Sequence, residues 1–136
     1  MKVFVDASAW VPMEIVGDQW SGRLRELLRE LRRGPRLELV TTNWTMYEAL
    51  AIARRRAAFA SQQLHETITR RAQVISVKVD DEREALRRFL SWRDQGASVV
   101  DHANAIVAVR QHCEAILSFD RDFIPLGAAA GFQVLR

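Results

Sequence analysis

Seventeen acidic residues among 136 make a carboxylate commonplace in this chain, so only placement can point to chemistry. Asp6 directly follows the apolar run Val3-Phe4-Val5, and Asp120 directly follows a second run over residues 115–119. Both runs read as buried strands. In a parallel sheet the two acids would then lie at the carboxyl-end edge, where α/β folds place their sites. Glu48 falls about a turn and a half into a helix that Thr41-Thr42-Asn43 can cap. Asp101 falls in the first turn of another helix, opened by the capping-box pattern Ser98-Val99-Val100-Asp101. Four acids distant in sequence would thus converge on one cleft, where their repulsion in low dielectric is costly unless a cation neutralises them. An all-oxygen set favours a hard ion, Mg²⁺ or Mn²⁺, over zinc, which draws on His or Cys. One or two such ions suit hydrolysis of a phosphodiester, because they generate hydroxide, clamp the phosphate and stabilise the leaving oxygen. No P-loop, Gly-x-Ser-x-Gly or Gly-x-Gly-x-x-Gly motif offers another chemistry.

Each of these residues also has an ordinary role. Asp101 alone would serve as a helix-dipole partner in its capping box, and Glu48 alone as a solvated helix residue. Ser8 suits either a hydrogen bond to Asp6 or a turn cap. Asp122 is expected to face water, and His102 to lie on a helix surface. The histidines His65, His102 and His112 form no ligand spacing. Trp10, Trp20, Trp44 and Trp92 could stack on RNA bases, but three of the four sit among apolar neighbours at helical spacing and are expected in the core or an interface.

The elements that must position these groups follow from hydrophobic periodicity. Strands are expected at residues 3–5, 37–40, 74–79, 115–119 and 132–135. Helices are expected from Asp18 to the Gly34-Pro35 stop, from Asn43 along a Met46, Leu50, Ala53 stripe, and over residues 57–73. A further helix opens at Asp80-Asp81 with Ala85, Leu86, Phe89 and Leu90 as its apolar face and breaks at Gly96, and the last runs from Ser98 to about His112. Strands alternating with helices imply an α/β fold whose mostly parallel sheet carries helices on both faces.

Composition sets the bounds. With 49% hydrophobic and 27% charged residues and only 6 Gly and 3 Pro, the chain is globular, and 136 residues suit one domain spanning 1–136. Its longest apolar runs, five residues, fall far short of the roughly 18 a membrane helix needs. The first residues lack the pattern of a secretory leader, so a cytoplasmic location is expected. The lone Cys113 allows neither an intrachain disulfide nor a zinc pattern. The net charge is +3, and 18 of the 20 basic residues are Arg, the residue suited to bidentate phosphate contact. Arg54, Arg55, Arg56 and Arg110 are candidates for such contact, with Arg70 and Arg71 extending a basic face; solvated helix surface is the plain alternative.

Taken together, Val3-Phe4-Val5-Asp6-Ala7-Ser8-Ala9-Trp10, Thr41-Thr42-Asn43 leading to Glu48, Ser98-Val99-Val100-Asp101, and Leu117-Ser118-Phe119-Asp120-Arg121-Asp122-Phe123 resemble PIN domains, specifically the VapC toxins of bacterial toxin-antitoxin pairs. The resemblance covers nearly the whole chain. It implies a three-layer sandwich and an Mg²⁺- or Mn²⁺-dependent endoribonuclease with Asp6, Glu48, Asp101 and Asp120 as its acidic quartet. On this reading Asp6, Asp101 and Asp120 hold metal, and Glu48 orients a metal ligand or the attacking water. The resemblance further implies a homodimer and a small cognate antitoxin, with an apolar helix in the groove between the Asp18 to Arg33 helix and the helices after Thr42 and an Arg or Lys among the acids. Ala7, where many relatives carry Thr, and the Ala- and Gly-rich stretch from Gly127 to Gly131 depart from the family pattern. The competing expectations are a catalytically silent PIN-like module that binds RNA or protein, a housekeeping PIN nuclease that is no toxin, and a phosphotransfer domain with Asp6 as nucleophile. The last is disfavoured because Asp6-Ala7-Ser8 lacks the second acid of Asp-x-Asp.

Overall fold

The computed structural model describes residues 1–93 and 96–136. Its elements run β1 (Lys2–Val5), α1 (Ala7–Glu14), α2 (Ser21–Arg33), β2 (Glu38–Thr42), α3 (Asn43–Arg56), α4 (Ala60–Arg71), β3 (Ala72–Ile75), α5 (Val79–Ser91), α6 (Val99–Arg110), β4 (Ala115–Leu117), α7 (Phe123–Ala130) and β5 (Gln133–Leu135). The strands form one sheet in the order β3-β2-β1-β4-β5, and every neighbouring pair is parallel. The chain builds β2 and β3 on one side of β1 and then crosses to build β4 and β5 on the other. The β1/β4 seam is therefore the point where strand order reverses, and a crevice opens beyond the strand ends there. Alternation along β1 splits the core. Val3 and Val5 pack with Trp10, Leu24, Leu64 and Ile68 from α1, α2 and α4, while Phe4 packs with Val107, Ile116 and Phe123 on the opposite face. The result is the expected three-layer α/β sandwich. No helix among the described residues is long and apolar enough to cross a membrane.

The differences from the sequence expectations have local causes. Residues 7–14 form α1, which periodicity does not reveal because the helix is short, apolar on nearly every side and contains Pro12. Likewise α7 arises in the stretch that includes Gly127, where a Cβ would collide with the Val134 side chain, so the small residue lets the helix lie against β5. The strand expected at 74–79 is displaced: β3 covers Ala72–Ile75, and Val79 begins α5. Its partner β2 ends at Thr42, opposite Ile75, so no ladder remains for residues beyond. Similarly β4 stops at Leu117 rather than Phe119. The expected apolar face of α5 is mostly not buried: Ala85 is, but Leu86, Phe89 and Leu90 are 47%, 39% and 73% exposed.

Candidate active site

Asp6 ends β1 and caps α1. Its Oδ2 accepts hydrogen bonds from Ser8 N at 3.2 Å, Ser8 Oγ at 2.6 Å and Ser118 Oγ at 3.0 Å. Both hydroxyls also accept, Ser8 Oγ from Phe119 N at 2.9 Å and Ser118 Oγ from Asp120 N at 3.1 Å. The two serines thereby lace the end of β1 to the end of β4, and Asp120 hangs from this lacing. Because β4 ends at Leu117, Asp120 does not follow its strand directly; Ser118 and Phe119 carry it forward, and Asp122 N donates to Asp120 Oδ1 at 2.9 Å. Ser118 is a functional candidate the sequence reading passed over, and the available signal was symmetry: a serine lies two residues after Asp6 and another two before Asp120.

Asp101 enters from α6. Its capping box forms, with Ser98 N donating to Asp101 Oδ2 at 2.8 Å and Asp101 N donating to Ser98 Oγ at 3.1 Å. The box fixes the rotamer of an acid that is only 9% exposed. Glu48 comes from the second turn of α3, whose N-cap is Thr42, and the residue as a whole is exposed.

The acids feel one another. Burial raises the Asp6 carboxyl above the ordinary range despite its serine donors. Asp101 is pushed up to about 7, first by desolvation and then by the negative charges of Asp6 and Asp120, against the lowering effect of the Ser98 bonds. Glu48 is raised by desolvation and by the same two charges. The charges of Asp6 and Asp120 thus reach both Glu48 and Asp101 at this edge of the sheet. Among the described residues, no three His, Cys, Asp or Glu side chains form a ready-made metal site. The donors themselves, carboxylate and hydroxyl oxygens, suit a hard cation, whose charge would offset both the desolvation and the repulsion that raise Asp101.

Other expected residues are placed differently. His102 is not on the helix surface. It is almost fully buried, with its ring 5.1 Å from the Trp92 ring and 6.4 Å from that of Phe89, both edge-on. Desolvation and the charge of Arg88 lower its pKa, so it stays neutral. Asp122 is half-buried against Gly96, where a Cβ would collide with its carboxylate. Two of the candidate phosphate contacts are already engaged, Arg110 by Asp81 at 2.7 Å and Arg56 by Asp18 at 2.8 Å, while Arg54 and Arg55 are exposed. Trp10 is core, its Nε1 donating to Val5 O at 3.1 Å, and Trp20 stacks on Phe119 at 4.8 Å.

An acid cluster at the strand-order reversal of a five-stranded parallel sheet is the arrangement of a PIN domain, and the chain matches the PIN domain family over residues 3–128. It belongs to that family. Among solved structures it is similar in fold to Mycobacterium tuberculosis VapC20, a sarcin-ricin loop cleaving toxin, with a TM-score of 0.83, 24% identity and 98% of each chain covered. No curated protein sequence gives a significant match.

Proposed function

We propose that this protein is a divalent-metal-dependent endoribonuclease and the toxin of a toxin-antitoxin pair. The observation that carries the proposal is the raised Asp101 and Glu48, each lifted first by burial and then by the charges of Asp6 and Asp120, in a PIN-family fold. Acids held apart from their preferred ionisation at one sheet edge mark a functional cluster. Asp6, Asp101 and Asp120 would hold Mg²⁺ or Mn²⁺, which supplies the charge that lets the acids ionise together and that stabilises the scissile phosphate and its leaving oxygen. Ser8 and Ser118 fix the Asp6 carboxyl, and the Ser98 box fixes that of Asp101. Glu48, exposed at the rim, would orient the attacking water. No side-chain nucleophile is needed.

Arg54 and Arg55, exposed in the last turn of α3, are the candidate phosphate contacts for RNA. For the antitoxin, a groove lined by Pro12, Met13, Leu24 and Leu28 and rimmed by Arg25 and Arg71 supports docking of an amphipathic helix beside α2, close to where the sequence suggests it. A second copy would cover the exposed apolar residues of α5, giving the homodimer. One observation favours a second reading, a PIN-like module that binds RNA without cutting it: the acids form no ready-made ligand set. The deciding experiment maps cleaved ends in total RNA after induction, with a sarcin-ricin loop hairpin among purified substrates because VapC20 cleaves that loop. Mg²⁺-dependent cleavage and growth inhibition relieved by a small co-expressed protein support the proposal. Binding in Mg²⁺ without cleavage across a broad RNA panel would replace it with the second reading, and cleavage by a harmless protein would leave a housekeeping nuclease.

A further inference from the structure

Glu48 and Asp101 lie on α3 and α6, two helices that meet through buried polar groups rather than through apolar packing alone. Thr42, Thr45 and Asn104 are all fully buried. Asn104 Oδ1 accepts from Thr45 Oγ1 at 2.8 Å and from Thr42 Oγ1 at 3.0 Å. Thr42 Oγ1 in turn accepts from Thr45 N at 3.1 Å, the N-cap bond of α3. One carboxamide oxygen therefore gathers the start of α3 and its first turn onto α6. Spacing connects this knot to the acids: Asn104 stands three residues after Asp101, and Thr45 three residues before Glu48, so each acid shares a helix face with a member of the knot. Asn104 Nδ2 has no protein partner among the described residues. The uncompensated Nδ2 donor is a cost of keeping the amide, set against the two buried threonine hydroxyls that its Oδ1 satisfies.

We propose that Asn104 is a positioning residue whose carboxamide, by holding the Thr42 and Thr45 hydroxyls, sets where α3 places Glu48 relative to Asp101; the inference rests on the reading of those acids as one active site. Apolar contact between helices permits small slides. Two hydrogen bonds converging on one oxygen do not, because their strength falls steeply with length and angle.

The test compares Thr45→Val, which keeps the shape and removes the hydroxyl, with Asn104→Leu and with Thr45→Ser, which restores a hydroxyl. Melting midpoints establish folding, calorimetry measures Mn²⁺ affinity, RNA cleavage gives kcat and KM, and crystal structures of wild type and Thr45→Val give the separation of α3 and α6. Folded Thr45→Val and Asn104→Leu should lose about tenfold in kcat and in Mn²⁺ affinity, with RNA KM within about twofold and Thr45→Ser close to wild type. Wild-type kcat and Mn²⁺ affinity in folded Asn104→Leu would overturn the proposal, as would losses that only track unfolding and are not rescued by serine. Wild-type protein that neither binds Mn²⁺ nor cuts RNA would sink the reading of the active site, and the crystal structures would then decide on their own. A shift of about 0.5 Å between α3 and α6 in Thr45→Val would support the strut, and an unchanged separation would overturn it.

Discussion

Helices α5 and α6 pack against each other and are buried to very different extents. The sequence gives α5 an apolar stripe, yet Leu86, Phe89 and Leu90 all stand open to solvent. By contrast α6 buries Asp101, His102 and Asn104 among its alanines and valines. Position explains the contrast, since α6 lies against β1, β2, α3 and α7 as well as α5, whereas the main helical neighbour of α5 is α6. A helix enclosed by other elements buries whatever it carries, and its polar residues persist only where they find partners or a task. Amphipathicity reports which face is apolar, and only the surroundings report which face is covered.

The sharpest way to break this comparison is through the buried acid. Asp101→Asn and Asp6→Asn should abolish Mg²⁺-dependent RNA cleavage, by about a hundredfold or more, while leaving the melting midpoint unchanged or raised. Cleavage persisting in both purified variants would remove the acids from the site. The same carboxyl makes stability depend on pH. Its pKa is about 7 in the folded protein against 3.8 for the free group, so the folded state binds the extra proton between those values. Metal-free protein should therefore be most stable below about pH 4 with respect to this group and lose up to roughly 4 kcal/mol as pH rises towards 7. Thermal melts of wild type against Asp101→Asn read this directly, and identical pH slopes in the two would refute it.

His102→Ala tests enclosure without touching the acids. It removes the ring that packs edge-on against Trp92 and Phe89 and should destabilise the fold by about 2–4 kcal/mol, measured by urea denaturation. A loss under 0.5 kcal/mol would mean that α6 is less enclosed than its burial indicates. The smallest effect belongs to α5: Leu90→Gln should change stability by no more than about 0.5 kcal/mol. If a second copy covers that face, light scattering should nevertheless show the variant shifted towards monomer, and an unchanged mass would place the copies' contact elsewhere.

Local signals carried much of this protein. Val3, Phe4 and Val5 are β-branched or aromatic and favour a buried strand; Ser98 with Asp101 is a capping-box pattern; Gly34-Pro35 ends α2 because Pro35 has no N–H for the helix and pushes Gly34 into extended backbone. Chain order with alternating elements was enough to imply a parallel sheet and to put Asp6 at its carboxyl edge. α1 and α7 escaped because both are eight residues long and largely apolar, so no 3.6-residue contrast marks them. Strand ends escaped too, because β3 and β4 stop where their neighbours' ladders stop, a property of the pair and not of either segment.

The nature of the four acids, their order and their association with strand ends and helix starts are properties of the chain, since propensity and capping act over a few residues. What brings the ends of β1 and β4 together is the reversal of strand order at β1, which sets β1 beside β4 and carries Ser118 to Asp6 across 112 positions. The burial of His102 and Asn104 and the exposure of Leu90 were settled in the same way. Burial and pKa depend on which atoms from distant segments displace water, and no local pattern encodes that displacement.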